Sequence, residues 1–467
     1  MRKNHSVSSL LILLVSAPLS AQQPSGLLPS APQLTAFLQQ PMASQASPPQ
    51  NPASAPGPAD EFLTRQQAEQ LALKNNPRTS VAALLALAQN QVVRETRSAL
   101  LPNLNGSVTA IDANEASRLS TGSLAASRLL YHVGAGVELN QLITDFGHTR
   151  NLVASSSLQA KASEQQSAAT REDIVLATDI AFYNALEAQA TLQVAKSTVA
   201  ARQTVSEQVD ALTASKLKST LDQSFAQVNL SEAKLLTLDA QNQFDSAMAS
   251  LNEVLGSTDN RSYRLTDDPD LPQPVAPSAE EVIALALQQR PDLLAQKNLH
   301  EADVRFAKAE REQLLPTVSG LGVLGETPVG SNQYFSPQWY GAAGINVAIP
   351  IFNGFKFHAQ ATEADFRAKA SNEQSRVLID RIVRDVRTAW LHANTARQKM
   401  AVTSEFVKEA NTALDLADTR YRLGLSSIVE LSQAQLQQTQ AQIDDAIARF
   451  DYEADLAALR FQSGSQP

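Results

Sequence analysis

From His148 to Leu255 the apolar residues recur at alternating intervals of four and three, as in Ile174, Thr178, Ala181, Ala185, Ala188, Leu192, Ala195 and Val199. That spacing puts them on one face of a helix and makes a seam for a second helix. A second series, Leu230, Ala233, Thr237, Ala240, Phe244, Ala247, Leu251 and Val254, keeps the interval to the end of the stretch. Between the two, from Ser215 to Asp222, the phase is lost. The pattern predicts a helical hairpin whose outgoing arm runs from about His148 to Ala214 and whose other arm returns to Leu255. Neither Gly nor Pro interrupts it, although the chain holds 17 and 22 of them, so nothing inside forces a helix to stop. An arm of that length spans about 100 Å at 1.5 Å per residue, far more than a compact core requires.

Upstream the texture differs. Phe62, Ala68, Leu71 and Leu73 precede Asn75, Asn76 and Pro77 and predict a short helix, and a longer one follows from about Thr79 to Leu100. Two strands are predicted over about 104–114 and 129–143, where Val133, Ala135, Val137 and Leu139 alternate with their neighbours. Glu115 to Ser127 between them is rich in Ser, Ala and Thr and reads as an exposed loop.

After a Pro- and Asp-rich connector the programme begins again. LALKNNP at Leu71–Pro77 returns as LALQQRP at Leu285–Pro291, a shift of 214, whereas QAKASEQ at Gln159 returns as RAKASNE at Arg367, a shift of 208. A change of offset confined to the strand region is what a shorter loop in the second of two copies produces. The expected layout is a signal peptide over 1–21, a Pro/Ala/Gln-rich tether over 22–60, a first repeat over 61–256 with its hairpin at 148–255, a connector over 257–277, a second repeat over 278–464 with strands about 317–327 and 339–351 and a hairpin at 355–463, and a tail over 465–467. Gly424 falls opposite Lys216, so both hairpins turn at the same place.

Composition narrows the partners. The net charge of −9 and the scattered Lys and Arg argue against nucleic acid. The absence of Cys excludes disulfides, thiolate metal sites and a lipidated N-terminal Cys. Arg2 and Lys3 before the apolar run Leu10–Val15 and the small residues up to Ala21 form a secretory signal. No later segment approaches the ~20 apolar residues of a membrane-spanning helix, so a membrane would have to be crossed by strands. Four strands are too few to close a barrel alone; chains would have to share one, and three chains supply twelve strands. No metal-ligand spacing, cofactor motif or nucleophile elbow supports an enzyme. Gly320, Gly322 and Gly325 spell GxGxxG, but inside a strand with no βαβ unit around it.

Over roughly Glu61 to Gly464 the sequence resembles the TolC-like outer-membrane efflux proteins. The matching motifs are YRLGLSSIVEL at Tyr421–Leu431, LITDFG at Leu142–Gly147, IPIFNG at Ile349–Gly354 and LNEVLG at Leu251–Gly256. The resemblance implies a mainly α fold with a β-barrel portion: a homotrimer whose twelve-stranded barrel in the outer membrane continues into a periplasmic α-barrel. It implies a passive channel, without cofactor, that meets a periplasmic adaptor protein and an inner-membrane pump. It assigns a pore gate to Glu430, Asp222, Gln433 and Tyr421, with three copies of Glu430 ringing the pore. Leu423, Gly424, Leu425 and Ser426 on one tip and Lys216, Leu217, Lys218 and Ser219 on the other are the candidates for the adaptor contact, with a merely structural turn as the alternative. Gln433, Ser426 and Leu221 stand where the family archetype has Asp, Arg and Thr, so its closed-state links cannot all form; Arg420 and Arg422 are the candidate substitutes. A solvated carboxylate near a helix N-terminus is the plain alternative for both acids. Trp339, Tyr340 and Tyr131 are candidates for an aromatic girdle at the lipid interface, with ordinary strand packing as the alternative. A secreted coiled-coil protein without a pore explains the hairpins but not four glycine-containing strands at matched positions.

Overall fold

The computed structural model describes residues 61–112, 119–121, 124–127, 131–258, 261, 263–267, 275–276, 278–329 and 336–464. The expected signal peptide, tether and tail, and most of the connector, lie outside them. The first copy comprises β1 (Glu61–Leu63), α1 (Arg65–Asn75), α2 (Pro77–Ser98), β2 (Asn103–Asp112), β3 (Leu119–Thr121), β4 (Leu124–Ser127), β5 (Tyr131–Thr144), α3 (His148–Ala214) and α4 (Thr220–Val254). After β6 (Tyr263–Leu265) the second copy supplies α5 (Ala279–Gln289), α6 (Pro291–Glu312), β7 (Thr317–Val329), β8 (Ser336–Ala348), α7 (Lys356–Arg422) and α8 (Ile428–Ser463).

Both outgoing arms are helices of 67 residues. Every residue of the two apolar series is buried or half-buried. The return arms α4 and α8 have only 35 and 36 residues, about 53 Å, and leave almost half of each long helix uncovered. That half is covered by the 22-residue helices α2 and α6: α2 packs on α3, and α6 packs on both α3 and α7.

Each short helix meets the end of a return arm head to tail. Asn76 caps α2, accepting from the Arg78 N–H, and its Nδ2 donates to the Val254 carbonyl at the end of α4 at 2.9 Å. Gly256, at φ +70°, ends that arm so close to α1 that an added Cβ would stand 2.7 Å from the Asn75 carbonyl oxygen. In the second copy Gly464, at φ +71°, stands against Arg290, the N-cap of α6. Pro77 and Pro291 occupy the first helical position, where no N–H is needed. The carbonyl end of one helix thus faces the N–H end of the next, the favourable arrangement of two helix dipoles.

Several expectations are corrected here. Phe62 belongs to β1 rather than to a helix, because a capping box between Thr64 and Gln67 starts α1 at Arg65. The connector contributes β6, whose Tyr263 and Leu265 are buried and which pairs in parallel with β1. The 115–127 loop contains the β3–β4 hairpin. The last strand runs over Ser336–Ala348 rather than to Ile351, stopping before Pro350, which lacks the N–H a ladder requires.

Around the middle of α3, Leu63, Ile174, Phe182, Leu186, Leu251 and Leu255 form a buried cluster shared by both repeats, with Phe450 and Ala457 from α8. Phe182 and Trp390 hold equivalent places in the two copies: Phe182 is fully buried, and Trp390 packs on the second cluster while its Nε1 donates to the Ala276 carbonyl at 2.9 Å. Beside the first cluster Asp179 is 2 % exposed. Burial, with Glu69 as a hydrogen-bonding and repelling neighbour, pushes its carboxyl up to about 8, against the pull of Arg65 at 3.7 Å and of Arg460. Burial and Glu453 likewise raise the nearby Tyr183 phenol.

Two predictions follow from these contacts. Gly256→Ala combines left-handed strain of about 1–2 kcal/mol with a backbone clash, whereas Gly424→Ala at the second tip, φ +74° with open space around it, carries the strain alone. Thermal unfolding of the detergent-purified protein should therefore rank Gly256→Ala below Gly424→Ala and both below wild type. Asp179 contributes stability while protonated and loses that contribution as pH rises from about 4 through about 8. Asp179→Asn should melt like wild type near pH 3 and increasingly above it as the pH is raised to 9.

Candidate functional site: the sheet faces and the hairpin tips

β2, β5, β7 and β8 form one antiparallel sheet in that order. Their register separates two faces. Leu104 pairs with Leu139, Leu139 with Gly322, Val137 with Leu324 and Gly320 with Ile345; with Val108, Trp339 and Val347 these make a mainly apolar face, interrupted by Gln141 and Glu326, on which Val108, Trp339 and Ile345 are 77, 71 and 72 % exposed. The opposite face carries Asn103, Asn105, Ser107, Thr109, Glu138, Asn140, Ser319 and Asn346, interrupted by Leu321 and Val323. Exposed apolar side chains on one face and amides and hydroxyls on the other, with glycines on both, are the pattern of a barrel wall between lipid and water. No described helix is long and apolar enough to cross a membrane.

The aromatic candidates divide between the faces. Trp339 lies on the apolar face. Tyr340, the next residue, points the other way and lies over Gly325, where an added Cβ would meet its hydroxyl at 2.6 Å. An aromatic girdle on the apolar face can therefore include Trp339 but not Tyr340. The side chain of Tyr131 lies outside the described residues. Glu138 was missed in the sequence because alternation says which residues share a face but not which face is wet. It is the only carboxylate on the polar face of the described strands, and it accepts from Asn140 Nδ2 at 3.0 Å.

The strands launch the long helices through the predicted junctions. In the first, Asp145 accepts from the N–H of Gly147 at 3.2 Å and of Thr149 at 2.7 Å. Gly147 sits at φ +118°, and an added Cβ there would come within 3.0 Å of the Glu312 carboxylate at the end of α6. The motif thus fixes the angle between strand and rod and ties α3 to α6 beside it.

At the far end the two tips turn alike. Lys216 has φ +62° and Gly424 φ +74°, the correspondence that the repeat offset implies. Ser219 caps α4 and Ser427 caps α8. Val209, Ala226, Tyr421, Ile428 and Leu431 close a small core between the tips. Tyr421 is 6 % exposed, with its hydroxyl unpartnered among the described residues; burial and the nearby Asp222 both raise its pKa and keep it neutral. The Lys218 ammonium of the first tip stands 4.0 Å over the Tyr421 ring, a contact worth about 0.5–2 kcal/mol. Asn229 Nδ2 donates to Ser432 Oγ at 2.6 Å and joins α4 to α8.

The gate candidates fall into different environments. Asp222 closes a reciprocal capping box with Ser219, accepting from its N–H at 3.1 Å and its hydroxyl at 2.8 Å. Glu430 is paired with Arg420 at 3.1 Å, while Arg422 pairs with Asp418 at 2.8 Å, so of the two candidate arginines Arg420 is the one at the carboxylate. Gln433 is exposed one turn along α8, and Tyr421 is tip core rather than surface. Among the adaptor-contact candidates, Leu217, Leu423 and Leu425 are each 68–71 % exposed. Lys216, Ser219 and Gly424 are exposed, whereas Ser426 is half-buried with its Oγ unpartnered among the described residues.

The Arg420–Glu430 pair is solvent-exposed, so its loss should leave folding unchanged while freeing the tip. In planar bilayers Glu430→Ala should raise single-channel conductance and weaken block by a trivalent cation; an unaltered channel would remove Glu430 from the gate.

With this geometry in place, the comparisons with known proteins agree. The Brucella suis outer membrane efflux protein BepC is 25 % identical over 374 residues, covering 78 % of this chain and 77 % of BepC. Escherichia coli TolC is 24 % identical over 423 residues, covering 84 % and 81 %. Among solved structures, CusC superposes with a TM-score of 0.74 at 19 % identity over 89 % of this chain and 96 % of CusC, and Campylobacter jejuni CmeC with 0.72 at 19 % over 86 % and 85 %. The profile of the outer membrane efflux protein family matches residues 68–257 and 282–465, one segment for each repeat, and the chain belongs to that family.

Proposed function

We propose that three copies of this chain form one passive conduit, a twelve-stranded barrel in the outer membrane continued by an α-barrel through the periplasm, which an adaptor and an inner-membrane pump engage at the tips. The observation that carries the reading is the two-faced sheet with two open edges. Among the described residues β2 and β8 each pair on one side only, and unpaired edge groups cannot stand in hydrocarbon. Pairing β8 of one copy with β2 of the next closes the wall, puts the apolar face on lipid and the polar face on a water-filled lumen. The α-rods then extend the tube by about 100 Å.

The tips supply the regulated end. Three Glu430 carboxylates would line the narrowest ring, attract cations and separate as the hairpins rotate. Exposed Leu217, Leu423 and Leu425 offer the adaptor an apolar contact, with Lys216 and Ser219 beside them. The substrate class has no handle in these residues. A pore-free coiled-coil protein leaves the apolar sheet face and both open edges unexplained.

Two measurements test the reading. The membrane-extracted protein should run as a heat-modifiable trimer in the outer-membrane fraction, and amine crosslinking should stop at three copies; a soluble monomer would end it. Glu138 would form a carboxylate ring in the barrel lumen, away from the tips. Glu138→Gln should lower the cation-to-anion permeability ratio in ~0.01 M salt and leave it unchanged in ~1 M salt, where screening falls from about 30 Å to about 3 Å.

A further inference from the structure

Just above the tip core, α3 and α8 bury an arginine that no carboxylate of the described residues contacts. Arg202 is 8 % exposed. One of its Nη atoms donates to Gln435 Oε1, and among the described residues no carboxylate forms an ion pair with it. Glu232 on α4 is exposed and acts on it only through the longer-range field, while burial lowers its pKa. A guanidinium has five N–H donors, and only one bond to a neutral amide is made here.

The surroundings are those of a site rather than of a packing fault. Arg202, Gln435, Thr198 and Thr439 are all at least nine-tenths buried, and they edge a pocket of about 220 Å³ that Gln438 and Gln442 also line. The Thr198 and Thr439 hydroxyls donate to backbone carbonyls of their own helices and touch each other at 3.4 Å. With its Oε1 taken by Arg202, the Gln435 amide is left with its N–H groups. The pocket therefore offers N–H donors around a positive charge, the complement of an oxyanion.

We propose that this pocket binds a small inorganic oxyanion of the sulfate or phosphate type, which bridges Arg202 of the first repeat to Gln435 of the second. Bound there, the anion braces the α3–α8 seam directly above the tip core of Val209, Tyr421 and Leu431. This inference stands independently of the conduit reading, since it needs only the seam within one chain.

The test uses the full-length detergent-purified protein and sulfate as the probe. Against chloride at matched ionic strength, sulfate should raise the melting temperature of wild type by at least about 2 °C more than that of Arg202→Gln. The comparison with the variant removes the general stabilisation that excluded salts give every protein. Arg202→Lys, which keeps the charge, should retain part of the increment, and unchanged circular dichroism and oligomeric state establish that the variants fold. In crystals grown with selenate, an anomalous peak should lie within hydrogen-bond distance of Arg202. Equal sulfate shifts in wild type and Arg202→Gln, selenate peaks only elsewhere, or a partner's carboxylate seated on Arg202 would each overturn the proposal.

Discussion

A helix of 67 residues cannot stand in water on its own seam; it needs partners along its whole length, and neither return arm reaches far enough. The structure meets this constraint twice by stacking helices end to end, α4 on α2 and α8 on α6, so that two short helices act as one long one. The joints are small: Asn76 reaching back to the Val254 carbonyl, Gly256 tucked against Asn75, Gly464 against Arg290. Each joint must turn the chain away in a left-handed step without a side chain in the gap. Everything beyond depends on them, because they hold the membrane end and the tip end of each rod in one line.

Beside the joints lies the region of mixed chemistry where both repeats meet. β1 and β6 clamp the start of the described chain onto the connector, and α1 brings Arg65 and Glu69 to the buried Asp179. A carboxyl whose pKa is raised by burial fits a seam between helices better than an ordinary ionised one, since a buried charge must be paired or neutralised. The Arg202 pocket is the opposite case, a cation held in a seam with room beside it. The two sites show the long α-bundle pinned by a few polar contacts among many alanines, which fix the register that small side chains alone specify weakly.

At the membrane end the controlling quantity is register. Residues alternate along every strand, and cross-strand pairing aligns four alternations into one apolar and one polar face. A one-residue slip in any strand would carry Leu139 or Ile345 to the polar face and Asn140 or Asn346 to the apolar one. The bulge between Leu142 and Thr144 confines the irregularity to the boundary with α3, where Asp145 redirects the chain. The tips and the sheet thus obey different rules, capping and small-core packing at one end and alternation at the other, joined by rods that carry geometry between them.

Sequence by itself determined the rods, their turns and the doubling, because these are local or self-similar properties: a 4-3 apolar interval, an unbroken run without Gly or Pro, and a repeat whose offset changes from 214 to 208 across the strands. It also determined the motifs, YRLGLSSIVEL above all, that carried the family resemblance. It could not reveal that LNEVLG and the Asn-Pro corner are two halves of one joint, and Gly464 and the Arg-Pro corner the two halves of the other, since 178 residues separate Asn76 from Val254. Nor could it tell that Trp339 and Tyr340 part company across the wall, that Glu138 shares its face with Asn105 and Asn140, that Arg420 rather than Arg422 meets Glu430, or that Arg202 is buried without an acid. Those facts depend on which strand pairs with which and on which helix covers which turn. Such contacts are made between distant parts of the chain, and their energies exist only once the rods have been packed.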